Sequence, residues 1–169
     1  KALYVGLSKY PAEVASKAYA YLEERDIHCV LYQGRYNMLT RQPEADVIPQ
    51  AHNNRTGFIA FSPLAQGLLT DRYLQGIPED SRMTRNLFLR PEILTDKLLG
   101  KLHKLNKLAL ARKQTFAEMA LAWILRDKRI SSVIVGASSV TQLRNNLHAL
   151  DDKDFRTEEL QLINEILES

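Results

Sequence analysis

The sequence is poor in cysteine and has no long apolar run. Its 169 residues include one cysteine, Cys29, which excludes an internal disulfide framework and favours a reducing compartment. Cys29 lies inside the apolar run 27–32, so we interpret it as a small buried hydrophobic residue rather than a reactive thiol. No uninterrupted apolar segment approaches the ~20 residues that a membrane-spanning helix needs, and no charged leader precedes a short apolar core. We therefore expect a soluble, cytoplasmic protein without a membrane partner.

Several motifs of well-defined chemistry are also missing. The sequence has no GxGxxG, GxxxxGK[ST] or GxSxG, which excludes a Rossmann turn, a P-loop and a nucleophile elbow. No two of the four histidines lie at metal-ligand spacing, so we expect no metal site. The formal net charge is +3, and the basic residues are spread along the chain rather than gathered into a stripe. Nucleic acid is therefore not an expected partner.

The apolar residues alternate between a strand period and a helix period, which predicts repeated β–α units around a parallel sheet. The predicted strands are 2–7, 27–33, 57–62 and 132–136. The predicted helices begin at Pro11, near Glu44 with an interruption at Pro49, after the caps Thr95, Thr115 (with Glu118) and Thr157, and over 140–150. The connection 64–90 has no clear period, so it is a candidate lid or binding loop.

Four strands leave a sheet incomplete. A parallel sheet is normally covered on both faces, and an open edge invites further pairing. We therefore expect these strands to belong to a (β/α)8 barrel that another part completes. The chain begins at Lys1 with a strand-like stretch, which is compatible with a start inside a larger gene product.

Each predicted strand ends in polar residues, at the position where a barrel places its ligands. Hydroxyl and amide groups such as Ser8, Gln33 and Ser62 could hold an uncharged amide ligand, although each is also ordinary turn chemistry. Ser138 and Ser139 precede a predicted helix on which Gln142, Asn145 and Asn146 fall at i, i+3 and i+4. That helix start could bind an anion and a purine edge, or it could be a plain helix cap.

Two arginines, Arg72 and Arg82, lie in the long connection. Their planar guanidinium groups suit phosphate, and the alternative is solvated surface charge.

Together, the segments FSPLAQG (61–67) and GASSVTQL (136–143), in this order and separation, resemble those of the aldo-keto reductases. The similarity is greatest to the branch of bacterial glyceraldehyde-phosphate reductases and potassium-channel β subunits. It implies that the chain is the C-terminal half of a (β/α)8 TIM barrel, namely strands 5–8 with their helices, as a single domain over 1–169.

The resemblance also implies a cofactor site for NADPH, which two arginine positions favour over NADH. Ser8 and Gln33 would hold the nicotinamide carboxamide, and Phe61 would stack on the ring. The remaining implied contacts are with the pyrophosphate (Ser62, Leu64 and Arg72), the 2′-phosphate region (Arg82), and the 2′-phosphate and adenine (Ser138, Gln142, Asn145 and Asn146).

The implied activity is reduction of a small aldehyde or ketone. The family's catalytic tyrosine, lysine, aspartate and histidine belong to the first half of the barrel, so no catalytic residue is expected in this chain. Its partner would be the missing N-terminal half-barrel. Alternatives are a nucleotide-sensing regulatory subunit, or an inactive half-barrel that forms a homo-oligomer edge to edge. Departures from the family pattern are Lys9 for asparagine, Asn145 for glutamate, and Pro49 inside a helix.

Overall fold

A parallel sheet of four strands forms the centre of the fold. A computed structural model describes residues 1–79 and 90–169. Within these residues the strands are β1 (Val5–Ser8), β2 (Cys29–Arg35), β3 (Gly57–Phe61) and β4 (Ile130–Val133). They lie side by side in chain order and every neighbouring pair is parallel. The predicted α/β class and parallel sheet are confirmed.

The strand bounds differ from the prediction because pairing, rather than local sequence, decides where a strand ends. Strand β2 continues to Arg35, beyond the predicted end at residue 33, since β3 still pairs with it through Gly34↔Ala60 and Arg35↔Phe61. Strand β4 was predicted over 132–136 but ends at Val133. After that residue, Ile134 N still donates to Ala60 O over 2.8 Å, but β3 itself ends at Phe61.

Six α-helices accompany the sheet in the described residues. They are α1 (Ala12–Glu23), α2 (Val47–Asn53), α3 (Asp96–Ala111), α4 (Phe116–Leu125), α5 (Val140–Leu147) and α6 (Thr157–Glu168). The predicted capping box of α4 is confirmed: Glu118 N donates to Thr115 Oγ1 over 3.2 Å, and Thr115 N donates to Glu118 Oε2 over 2.8 Å. Thr95 caps α3 by accepting from Leu98 N over 3.2 Å.

Two helix predictions need correction. Pro49 was expected to interrupt its helix, but it lies in the first turn of α2, where a backbone N–H would have no intrahelical acceptor. Thr157 was predicted to cap α6, but it is the first helical residue. The cap position is Arg156, whose N–H donates to the carboxylate of Glu159 over 2.8 Å.

The sheet has one covered face and one open face. On the covered face, Tyr32 and Phe58 are buried and their rings stack with centroids 5.6 Å apart, while Trp123 of α4 lies 5.5 Å from the ring of Tyr36. We call the other side the open face; it carries the alternate residues, which are half-buried or exposed (Ser8, Gln33, Arg35, Ile59 and Phe61). Helices surround the outside of a (β/α)8 barrel, so the open face is the side that the barrel turns inward.

Four parallel strands in chain order, with helices on one face, are consistent with the predicted C-terminal half of a (β/α)8 barrel. In residues 1–79 and 90–169 no helix has both the length and the apolar character needed to cross a bilayer.

Candidate functional site

Every strand of the sheet points the same way, so all four carboxyl ends meet at one edge. Ser8 is the last residue of β1, Gln33 is in the C-terminal half of β2, and Phe61 ends β3. Ser138 lies beyond β4, just before α5. Ser8, Gln33, Phe61 and Ser138 therefore emerge at the same edge of the sheet.

Ser8 and Gln33 are direct neighbours on the open face. They are register partners in the β1–β2 pairing, and Lys9 N donates to Gln33 O over 2.9 Å. Lys9 has a φ of +60°, so the chain turns sharply as soon as the strand ends. Ser8 is exposed and Gln33 half-buried. A hydroxyl and a primary amide thereby lie side by side on the open face.

The turn after β3 is built on left-handed backbone. Ser62 has a φ of +51° and precedes Pro63, a conformation that costs a residue with a side chain about 1–3 kcal/mol. Its carbonyl accepts from Ala65 N over 3.0 Å, and the carbonyl of Leu64 accepts from Gly67 N over 2.8 Å. Leu64 is half-buried and packs against the core. These bonds fix the course of the chain directly after Phe61.

Asn37 supports this turn, and the sequence analysis missed it. Its side chain is fully buried; Nδ2 donates to Ser62 O over 2.9 Å and Oδ1 accepts from Leu39 N over 2.9 Å. The available signal was a polar residue inside the run Tyr36–Leu39, which is otherwise apolar. Because a buried amide needs partners for both its ends, Asn37 couples the loop after β2 to the turn after β3.

The start of α5 has the hydrogen bonds of a capped helix. Gln142 N donates to Ser139 Oγ over 3.1 Å, and the side chain of Gln142 accepts from Ser138 N and Oγ over 2.7 and 3.0 Å. The predicted cap is therefore present. Ser138 and Gln142 are brought together at the carboxyl edge of the sheet, and both are exposed.

The two asparagines of α5 are placed differently from each other. Asn145 is exposed, whereas Asn146 is 7% exposed and its Nδ2 has no hydrogen-bond partner among the described residues. An unsatisfied buried donor costs about 1–3 kcal/mol. The three amides predicted to share one face are therefore divided: Gln142 and Asn145 are exposed, whereas Asn146 is turned inward.

The long connection is described only in part. Residues 71–73 form a short 3-10 helix in which Arg72 is exposed and Arg72 N donates to Thr70 Oγ1 over 3.2 Å. Arg82 lies outside the described residues. Within the part of the chain that the structure describes, no group of three or more His, Cys, Asp or Glu side chains could hold a metal ion.

Comparison with known proteins gives consistent matches over nearly the whole chain. The model of the Aldo/keto reductase family matches residues 1–168. The L-glyceraldehyde 3-phosphate reductase of Escherichia coli O157:H7 is 46% identical over 170 residues, which cover 98% of this chain and 49% of that protein. A probable voltage-gated potassium channel subunit beta of Arabidopsis thaliana is 34% identical over 155 residues, covering 89% of this chain and 47% of that protein. The chain spans about half the length of the curated relatives it matches.

Proposed function

Because this chain belongs to the aldo/keto reductase family, we propose that it supplies the cofactor-binding half of an NADPH-dependent carbonyl reductase. The family membership supports an oxidoreductase. The observation that carries the finer proposal is the shared edge: Ser8, Gln33 and Phe61 lie at or near the carboxyl ends of parallel strands, and Ser138 follows the carboxyl end of the fourth strand. In a (β/α)8 barrel, that edge is where ligands bind.

The residues at this edge fit an extended dinucleotide. The exposed hydroxyl of Ser8 and the amide of Gln33 would pair with a carboxamide, and the half-buried ring of Phe61 would give a nicotinamide a stacking surface. The start of α5 presents a helix amino terminus, which suits a phosphate. Arg72 and Arg82 would add guanidinium groups for the phosphates.

When bound, NADPH supplies a hydride to a carbonyl carbon. This chain's residues would orient the cofactor, since Ser8 and Gln33 fix one end of the carboxamide and so decide which ring face meets the substrate. We assign no catalytic acid here. The proton donor, and most of the pocket for a small carbonyl substrate, would come from the N-terminal half of the barrel.

Exposed apolar side chains next to both outer strands, before β1 and on the helix after β4, support the proposal of a partner half-barrel. Helix α5 and the turn after it carry an apolar stripe of Val140, Leu143, Leu147 and Leu150, which are 74%, 44%, 55% and 52% exposed. Before β1, Leu3 and Tyr4 are 94% and 78% exposed. Large exposed apolar surfaces usually mark an interface. A second copy of this chain could cover the same surfaces, and sedimentation distinguishes a self-associating chain from one that needs another half.

The test is a calorimetric titration of the chain with NADPH and with NADH. We expect NADPH to bind more tightly, because the additional phosphate meets the positive end of α5 and the arginines of the long connection. A Gln142→Ala variant should weaken NADPH binding, whereas Thr141→Ala, an exposed neighbour outside the proposed site, should not. Absence of binding at low salt, or equal effects of the two substitutions, would contradict the proposal.

Asn37 gives a second prediction about the same site. Asn37→Asp keeps an acceptor for Leu39 N but replaces the donor to Ser62 O by a carboxylate oxygen. We expect the Kd for NADPH to rise about tenfold, the equivalent of one lost hydrogen bond in this turn. The adenosine fragment of the cofactor, which does not reach the turn, should bind as before.

The matched control is Asn54→Asp, which removes a similar amide donor from an exposed bond to Gln50 O of 2.8 Å. It should leave the Kd for NADPH unchanged. Equal weakening of NADPH and of the adenosine fragment by Asn37→Asp would indicate general unfolding rather than a role in positioning the turn.

A further inference from the structure

Two cations lie near Phe61 on the open face. The Lys9 ammonium lies 5.9 Å from the centroid of the Phe61 ring, within the range of a cation–π contact. Arg35 is the register partner of Phe61, and both follow the alternation that places Gln33 on the open face. The position proposed to stack on the nicotinamide therefore has two positive charges nearby, both on its β2 side: one from β2 itself and one from the turn after β1.

These charges are available to a ligand. Lys9 and Arg35 are exposed, and neither forms a salt bridge with a carboxylate of the described residues. The backbone of Lys9 is held in place by its bond to Gln33 O and by its left-handed φ of +60°. Its attachment point is thus fixed even though the side chain itself is long.

The nicotinamide ring is neutral when reduced and carries one positive charge when oxidised. From the geometry around Phe61 we infer that Lys9 and Arg35 make this site select the reduced cofactor over the oxidised one. The inference rests on the proposed function, since it concerns the ring that Phe61 would stack on. It has a chemical consequence: at equal concentrations of the two cofactors, the site is occupied more often by the form that reduces carbonyl groups.

The size of the effect follows from Coulomb's law. A positive charge about 7 Å away in a solvent-exposed site repels the oxidised ring. This repulsion raises the ratio of Kd for NADP+ to Kd for NADPH by a factor on the order of three. Attraction to the phosphates acts on both nucleotides alike, because they carry the same phosphate groups. The ratio of the two dissociation constants therefore isolates the charge on the ring from general anion binding.

The experiment measures both dissociation constants by calorimetry, using the whole chain and its variants. Lys9→Met and Arg35→Met should each lower the ratio of Kd for NADP+ to Kd for NADPH about threefold, and the double variant about tenfold. Lys9→Arg keeps the charge and should keep the ratio. Lys17→Met is the matched control, since it removes an exposed lysine of α1 whose partner is Glu13, away from this edge.

The outcomes separate this inference from the proposed function. If both nucleotides bind and the methionine variants change both constants by the same factor, the two cations are general anion attractors and the inference is wrong. If the unaltered chain binds neither nucleotide, the proposed function fails and the inference fails with it. Circular dichroism establishes that each variant is folded, and both substituted side chains are exposed.

Discussion

Replacement of Arg112 by methionine should lower the free energy of unfolding by about 3–5 kcal/mol, the cost of removing one partner from a buried ion pair. The side chain of Arg112 is only 4% exposed, and its guanidinium lies 2.7 Å from the carboxylate of Glu159, which is 7% exposed. It also stacks on Phe155 and donates to Gln114 over 2.9 Å. Methionine fills the space but leaves the Glu159 carboxylate without its buried counter-charge.

Urea denaturation measures this loss, and the exposed pair Lys17–Glu13 is the control. These two side chains are 75% and 83% exposed, so Lys17→Met should change stability by less than about 1 kcal/mol. In the double variant Arg112→Met with Glu159→Leu, part of the lost stability should return because no charge is left buried. Equal losses of unfolding free energy for Arg112→Met and Lys17→Met would show that the buried ion pair stabilises the fold no more than the exposed one.

The same cluster should make stability depend on acid pH. Burial alone would raise the pKa of Glu159, but hydrogen bonds from Arg156 and the charge of Arg112 outweigh it and hold the pKa below its ordinary value of 4.5. A folded-state pKa below the unfolded one contributes stability above the unfolded value, and this contribution is lost as pH falls through the folded value. Urea midpoints should therefore fall below about pH 4.5, and the fall should be smaller in Arg112→Met.

A methyl group at Gly34 should cost about 1–3 kcal/mol by overpacking the centre of the sheet. A Cβ built there would lie 2.5 Å from Cζ of Phe58 and 3.2 Å from Cε1 of Tyr32. Phe58 is fully buried, with its ring stacked on Tyr32 and edge-on to Tyr36, so it has little room to move. Gly34 lies between Gln33 and Arg35, so a shift of β2 should also weaken NADPH binding.

Gly100→Ala is the matched control for Gly34→Ala. Gly100 lies within α3 and a Cβ there would meet nothing within 4 Å. Alanine should therefore stabilise the helix by about 0.5–1 kcal/mol, because glycine is a poor helix former. Thermal unfolding should give opposite signs for the two glycine-to-alanine changes; the same sign for both would contradict the packing described around Phe58.

The sequence predicts well those features that depend on nearby residues. The capping box of Thr115 and Glu118 spans a single helical turn, and the helices 96–111 and 116–125 follow from a regular apolar period. Features that depend on distant partners were not predictable. The end of β4 is decided by where β3 ends, and the role of Asn37 depends on Ser62, 25 residues away.

The candidate site also combines features that the sequence predicts with features that depend on distant contacts. Ser8, Gln33 and Ser138 could be placed at one edge from the order of the strands and the resemblance to a family. The inward turn of Asn146 could not be predicted because it depends on packing. The position of Lys9 over Phe61 depends in addition on a left-handed backbone that lysine rarely adopts. Arg82, outside the described residues, stays a prediction.

The central claim is that one edge of the sheet binds one NADPH molecule, and amide chemical-shift mapping by NMR tests it most directly. On titration with NADPH, the amides of Gln33, Phe61 and Gln142 should shift along a common saturation curve. Those at the opposite ends of the same strands, Cys29, Gly57 and Ile130, should stay in place. Shifts concentrated at these amino-terminal ends, or separate saturation curves for Gln33 and Gln142, would contradict the claim.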